Sequence, residues 1–261
     1  RQKMKIIDLT QRLSIMTPAW PTYEPLKVHF FKRLSSNGAN GQIISTSNHV
    51  GTHMDGEIHF DTAGRTIGDQ PLEDFVGAGV VVDISDEMED YDIYTPKMLM
   101  DRADIRKGDI LIINTGYHRY AWDQPEADEI RYFCKHPGPT REFVDWCVKM
   151  KFKWIGVDCG SADHPMNTII RKWSEDLYGL ATKCSEYFKK KHGKTLEQIF
   201  PKEDYQQMHF KLFPKRIIHA ENVGGDIDKL CNKRTVIGAF PWRAVELESC
   251  ICRIVAFPDS K

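Results

Sequence analysis

The chain has 261 residues, a formal net charge of −1 and 41% hydrophobic residues, a composition typical of a protein that buries a core. Acidic and basic residues are mixed along its whole length, so the basic face of most nucleic-acid-binding proteins is excluded. No apolar run approaches the eighteen or more residues of a membrane helix. We therefore expect neither nucleic acid nor membrane as a partner.

The beginning of the chain and its cysteines indicate a compartment. The opening sequence RQKMKIIDLT lacks the apolar segment of a signal peptide. Seven cysteines are an odd number and form no CxxC pair, and Cys250 and Cys252 alternate along an apparent strand as buried thiols would. We predict a reduced, cytoplasmic protein.

Short strand-like runs recur along the chain. The first two, at 26–34 and 41–49, have no helix-like sequence between them. Helix-like periods occupy 95–103 and 140–150, between some of the later strands. Those later runs are rich in Val and Ile, as buried strands are: 79–84, 109–115, 152–158, 215–221, 235–240 and 252–257. The pattern predicts an α/β fold with a mixed β-sheet.

A polar, helix-leaning segment at about 166–207 interrupts the rhythm of the strands. We predict a single domain over 1–261 that carries this segment as a helical insertion. We leave three roles for this segment equally open: a lid, an oligomer contact or an inert surface segment.

The residues that carry chemistry are concentrated at 49–59, where three histidines stand close to Asp55. The Gly-Thr pair between His49 and His53 disfavours a helix, so we expect a strand end that runs into a loop. Imidazole nitrogens and a carboxylate suit zinc, or manganese if more oxygen ligands join. We therefore predict His49, His53 and Asp55 as metal ligands. The alternative is a set of histidines that pack in the core or cap turns.

The pattern HxGTHxD, followed four residues later by His59, resembles the signature of the metal-dependent cyclase family. That family includes bacterial kynurenine formamidase, isatin hydrolase and a dienelactone hydrolase. Other segments resemble it too: 6–21, 64–85, 107–117 and 154–163. The resemblance implies a swivelling β/β/α arrangement and a homodimer or homotetramer.

The resemblance also implies further site residues. Family members that bind two metals use a histidine and a glutamate twelve residues apart, which His209 and Glu221 match. His219 competes as a ligand but lacks that spacing. Because His219 would share the strand face of Glu221, its alternative roles are to contact the substrate or to contact a metal-ligating side chain. Trp20 and Ser161 match positions that the family places at the substrate.

These residues together suggest a hydrolase whose one or two divalent ions lower the pKa of bound water from 15.7 to about 7. We expect Asp55 to be shared if two ions bind, and His59 to be the general acid/base. The expected small-molecule substrate is a cyclic amide or a lactone, and an open-chain N-formyl aryl amine is the alternative. Two rival readings are a non-catalytic metal-binding scaffold and a thiol hydrolase that uses Cys159 with His164.

The sequence departs from the family at Glu57, where a proline is common. We expect this side chain to point to the surface without a role. A looser approach to His59, or an extra carboxylate near the pocket that changes substrate preference, are the alternatives.

Overall fold

Residues 5–258, the part that the computed structural model describes, form a nine-stranded mixed sheet, two small two-stranded sheets and flanking helices. The predicted domain also includes residues 1–4 and 259–261, which lie outside the described part. The strands are β1 (Ile7–Asp8), β2 (Lys27–Lys32), β3 (Gly41–Ser45), β4 (His53–Asp55), β5 (Val76–Asp83), β6 (Ile93–Tyr94), β7 (Ile110–Asn114), β8 (Gly138–Pro139), β9 (Trp154–Val157), β10 (Ile218–Glu221), β11 (Arg234–Phe240), β12 (Ser249–Ile251) and β13 (Arg253–Phe257). The α-helices are α1 (Leu34–Asn37), α2 (Leu72–Phe75), α3 (Pro96–Met100), α4 (Glu129–Cys134), α5 (Arg141–Met150), α6 (Ile170–Tyr178), α7 (Leu180–His192), α8 (Leu196–Ile199) and α9 (Gln207–Leu212).

The large sheet has the strand order β1-β13-β11-β5-β7-β9-β10-β4-β12. Its central strands β5, β7, β9 and β10 are parallel. Antiparallel strands extend it on both sides, with β11, β13 and β1 on one and β4 and β12 on the other. All six Val- and Ile-rich runs contain strands of this sheet, and the predicted mixed α/β fold is confirmed.

Both faces of the central strands are buried. In β5 the side chains of Val80 and Val82 belong to one apolar cluster, and Val81 belongs to a second cluster on the opposite face. The same alternation separates Leu111 from Ile112 in β7. Continuous apolar runs therefore become strands that are covered on both sides, because successive side chains point to opposite faces.

The first two predicted strands, β2 and β3, pair antiparallel as a ribbon that is separate from the large sheet. The expectation that no helix stands between them was wrong, because α1 forms one turn there. Asn37 accepts a hydrogen bond from the backbone N–H of Arg33, and Gly38 ends the turn at φ 68°. A local side-chain bond and a left-handed glycine thus make a helical turn without any helix-like periodicity.

The segment 166–207 contains α6, α7 and α8. Leu180, Cys184 and Phe188 of α7 are buried in the same apolar cluster as Val80 and Val82 of β5. The segment is therefore part of the packed core and not a loosely attached surface piece. Within 5–258, no helix is both long enough and apolar enough to cross a membrane.

Candidate metal centre and active site

Two adjacent antiparallel strands bring four ionisable side chains to one face of the sheet. His53 and Asp55 share a face of β4 because they are two residues apart, and Met54 between them enters the opposite core. His219 and Glu221 share a face of β10 for the same reason. The register pairs His219 with Asp55 and Glu221 with His53.

His49 and His209 reach this patch from outside the two strands. His49 precedes β4 in a turn that depends on Gly51, whose φ of 63° lies in the left-handed region. His209 comes from α9, and both α9 and His209 are held by Asp163. The Asp163 carboxylate accepts from the backbone N–H of Met208 at 3.1 Å and from Nδ1–H of His209 at 2.7 Å.

The polar atoms of these side chains converge on Asp55. His49 Nδ1 and His53 Nε2 lie 3.1 and 3.2 Å from its Oδ1. His209 Nε2 and His219 Nδ1 lie 3.7 and 3.4 Å from its Oδ2. Ligand atoms from Asp55 and three further residues all lie within 4.8 Å of one another, and this set is Asp55, His209, His219 and Glu221. A second set with the same spread shares Asp55 and consists of His49, Asp55 and His59.

Four inner atoms of this cluster lack hydrogen-bond partners, whereas the outer nitrogens of His53 and His209 are satisfied. Neither oxygen of Asp55 and neither nitrogen of His219 has a hydrogen bond, although all four atoms are buried. His53 instead donates its outer Nδ1–H to the carbonyl of Gly51 at 2.8 Å, and His209 donates to Asp163. Outer bonds of this kind fix the tautomer that turns the inner lone pair towards a cation. Buried polar atoms without partners are costly, so this donor set fits a divalent metal ion.

The pKa shifts show how strongly the buried groups act on one another. Burial alone would raise the pKa of Asp55, but the charges of His49 and His53 hold it well below its usual value. Burial and the charge of Asp55 raise the pKa of Glu221 to about 7. Burial and the neighbouring His209 hold the pKa of His219 well below its usual value. Carboxylates crowded in this way favour the presence of positive charge.

His59 lies at the mouth of the cluster, in a short 3-10 helix at Glu57–His59. Its Nδ1 is 2.8 Å from Oε2 of Glu248, and its ring centroid is 4.4 Å from that of His49. Sequence reasoning missed Glu248 and also the carboxylate of Asp163. No local pattern indicates Glu248, whereas Asp163 stands in a segment that carries the family resemblance.

A pocket opens at this cluster and contains both side chains that the resemblance places at the substrate, Trp20 and Ser161. Three further lining residues were not predicted: Tyr23, Phe60 and Gln206. Aromatic side chains thus line the pocket together with the ionisable cluster. His219 is not among the lining residues, since its side chain is completely buried beneath Asp55.

Two of the expectations for the side chain of Glu57, a surface position and a place near the pocket, were wrong. Its side chain is only 3% exposed and accepts hydrogen bonds from the backbone N–H and Nε–H of Arg65, both at 3.0 Å. It is therefore neither directed to the surface nor a member of the pocket. A partly buried ion pair between Glu57 and Arg65 joins the two ends of the loop 57–65.

Replacing Glu57 with alanine is expected to lower the free energy of unfolding by about 1–3 kcal/mol, since charge-assisted hydrogen bonds to Arg65 are lost. Urea unfolding of Glu57→Ala, Arg65→Ala and the double variant measures the coupling between the two residues. The exposed Glu73→Ala is the matched control. Strictly additive losses would contradict a direct interaction.

The thiol hydrolase is contradicted by the surroundings of Cys159. This side chain is 1% exposed, and burial raises the pKa of its thiol well above the usual value. His164 is also unsuitable as its base, because burial lowers the pKa of the imidazole to about 3 and both ring nitrogens are bonded to the backbone. A buried thiol without an activating base is a poor nucleophile.

The Cyclase family model matches residues 7–164, more than half of the chain. The chain therefore belongs to the cyclase family, as the HxGTHxD pattern predicted.

Several relatives can be compared directly. The chain is 31% identical to the kynurenine formamidase of Geobacillus thermodenitrificans over 96 residues, which are 34% of this chain and 46% of that protein. It is 30% identical to the kynurenine formamidase of Bacillus mycoides over 158 residues, 60% of this chain and 69% of the relative. The match thus spans about half of the first relative. Isatin hydrolase A from Ralstonia solanacearum has the same fold, with a TM-score of 0.71 at 20% identity, over 97% of this chain and 91% of that one.

Proposed function

We propose that this protein is a divalent-metal-dependent amide hydrolase. The observation that carries the proposal is the convergence of buried imidazole nitrogens on Asp55, whose two oxygens have no hydrogen-bond partner. Membership of the cyclase family supports it independently. A scaffold without catalysis would not require a histidine and an aromatic pocket beside such a cluster.

His49, His53 and Asp55 would hold one ion, and Asp55 would share a second ion with His209, His219 and Glu221. Mixed imidazole and carboxylate donors suit zinc or manganese. When bound, such an ion supplies a nucleophilic water at neutral pH and polarises the substrate carbonyl. Including His219 among the ligands extends the set expected from the spacing. Its buried Nδ1, 3.4 Å from Asp55, is the reason.

The remaining residues act on the substrate and its protons. His59 faces the pocket and keeps one ring nitrogen free of Glu248, so it is suited to move a proton from the attacking water to the leaving group. Trp20, Tyr23 and Phe60 offer faces and edges for a planar ring. Ser161, which is 3% exposed, would contact the water or the carbonyl oxygen.

Two substrate classes match the chemistry of the residues that line this pocket. A small benzo-fused cyclic amide or lactone is the first candidate, because the fold matches isatin hydrolase A over 97% of the chain. An open-chain N-formyl aryl amine is the second, because the curated relatives at 30–31% identity are kynurenine formamidases. Both substrates place a carbonyl beside an aromatic ring, and the pocket has the groups for both.

Metal removal is expected to abolish hydrolysis. Purified protein should contain one or two equivalents of zinc or manganese by elemental analysis. It should hydrolyse isatin, a benzo-fused lactone or an N-formyl aniline. Dialysis against a chelator should reduce the rate to background, and added zinc or manganese should restore it. Protein that holds metal but hydrolyses no amide, lactone or ester would support the scaffold instead. Protein that hydrolyses these compounds after complete metal removal would overturn the proposal.

We also propose that the chain forms a homodimer or homotetramer. The β2–β3 ribbon and the turn α1 between its strands expose large apolar side chains to solvent by 40–65%: Phe30, Phe31, Leu34, Ile43 and Ile44. An isolated two-stranded ribbon is marginally stable in water, and an apolar surface of this kind is typical of an interface. Analytical ultracentrifugation should give a mass of two or four chains. A single-chain mass would contradict this proposal.

A cytoplasmic location is proposed from the thiols. All seven cysteines are free, and six of them are buried. Free thiols persist in reducing compartments. Fractionation of the source cells, with detection of the protein in the cytoplasmic or the exported fraction, tests this location.

A further inference from the structure

Glu248 lies beside the candidate active site, although nothing in its local sequence indicates such a position. It immediately precedes β12, whose Ser249 pairs with Asp55 on β4. The backbone carbonyl of Glu248 also accepts from the N–H of Gly56 at 2.8 Å. Sheet pairing therefore fixes the backbone of Glu248 next to the metal ligands.

The Glu248 carboxylate contacts both His49 and His59. Its Oε1 and Oε2 lie 3.1 and 3.2 Å from Nε2 of His49, and Oε2 lies 2.8 Å from Nδ1 of His59. Asn48 Nδ2 donates to Oε1 at 3.0 Å, and the hydroxyl of Ser249 donates to Oε2 at 2.5 Å. A carboxylate has about four acceptor positions. Here they are filled, and the side chain is held in one orientation.

This arrangement determines which nitrogen of each imidazole carries the proton. A carboxylate can only accept, so His59 donates to Glu248 from Nδ1, and His49, which must be neutral to ligate a metal, donates to Glu248 from Nε2. The lone pair of His49 is then on Nδ1, the atom that faces Asp55 and His53. The lone pair of His59 is on Nε2, which remains free for proton transfer.

We propose that Glu248 is a positioning residue that sets the tautomers of a metal ligand and of the general acid/base at the same time. The proposal rests on the proposed function for the roles of His49 and His59. One carboxylate thus affects both the affinity of His49 for the metal and the availability of the His59 Nε2 lone pair for proton transfer. Outer partners of metal-bound histidines commonly contribute 10- to 100-fold in metal affinity or activity.

Replacing Glu248 with glutamine tests this role, because the amide can accept from only one of the two imidazoles. The zinc dissociation constant, measured by competition with a chromophoric chelator, should rise by about 10- to 100-fold. In the zinc-loaded protein, ¹⁵N NMR of the imidazoles should show His59 protonated on Nδ1 in the parent chain, with an Nε2–H form appearing in Glu248→Gln. The exposed Glu246→Gln, two residues earlier, is the matched control and should change neither readout.

A folded Glu248→Gln chain with unchanged zinc affinity and unchanged imidazole signals would overturn the inference. Should that variant unfold, Glu248→Asp keeps the charge but withdraws the carboxylate by one methylene. It should show the same two changes to a smaller degree, and unchanged values there count equally against the role. If the parent chain binds zinc but hydrolyses no substrate, the proposed function fails, while zinc affinity and the ring signals still decide the role of Glu248.

Discussion

Replacing Asp55 with asparagine is expected to reduce hydrolysis by about 10³-fold or more, since the lost metal-assisted stabilisation is worth several kcal/mol and each 1.36 kcal/mol is tenfold in rate. The carboxylate lies between two sets of ligand atoms and belongs to both. An amide of the same shape brings no negative charge to offset a cation. Metal content per chain, measured by elemental analysis, should fall together with the rate.

The matched control for this variant is Asp176→Asn, an exposed aspartate on α6. It should retain the metal content and the rate of the parent chain. Circular dichroism must show that both variants are folded. Full metal content and full activity in folded Asp55→Asn would refute the central ligand role of this residue.

Replacing His59 with alanine should separate catalysis from metal binding. The rate is expected to fall by about 10²- to 10⁴-fold, the usual contribution of a positioned acid or base. Metal content should stay at the parent level, because the other ligand atoms around Asp55 remain. Steady-state kinetics together with elemental analysis give both quantities from the same preparation.

Two further measurements make the His59 result specific. Added imidazole should restore part of the rate of His59→Ala, which a merely structural defect would not permit. Lys107→Ala, at an exposed position outside the β2–β3 ribbon, should behave like the parent chain. Loss of metal in His59→Ala, without rescue by imidazole, would instead assign His59 to the ligands, as its place in the set with His49 and Asp55 allows.

Glu57 shows where a family comparison gave the wrong environment for a residue. The absent proline suggested a looser loop or a carboxylate directed outwards. The structure instead buries the carboxylate against Arg65, ten residues past Asp55, and not in the pocket. The surroundings of Glu57 depend on the partner that the folded loop brings to it. Comparing this single position with the family does not identify that partner.

The amino-acid sequence alone determined the elements of this protein and the local part of its site. Val- and Ile-rich runs specify strands buried on both faces. His53 and Asp55 share a face because they are two residues apart, with His49 and His59 close on either side. These relations are short-range, and the period of a strand or the angle of a turn is sufficient to fix them.

Only the tertiary structure decided which distant residues complete the site. Pairing of β10 with β4 brings His219 beside Asp55, and pairing of β12 with β4 brings Glu248 to His49 and His59. The turn after β9 supplies Asp163 to His209. Strand partners and register follow from how whole faces pack, and not from the residues of either strand taken alone. The identity of the side chains around the predicted ligands therefore became visible only in the folded chain.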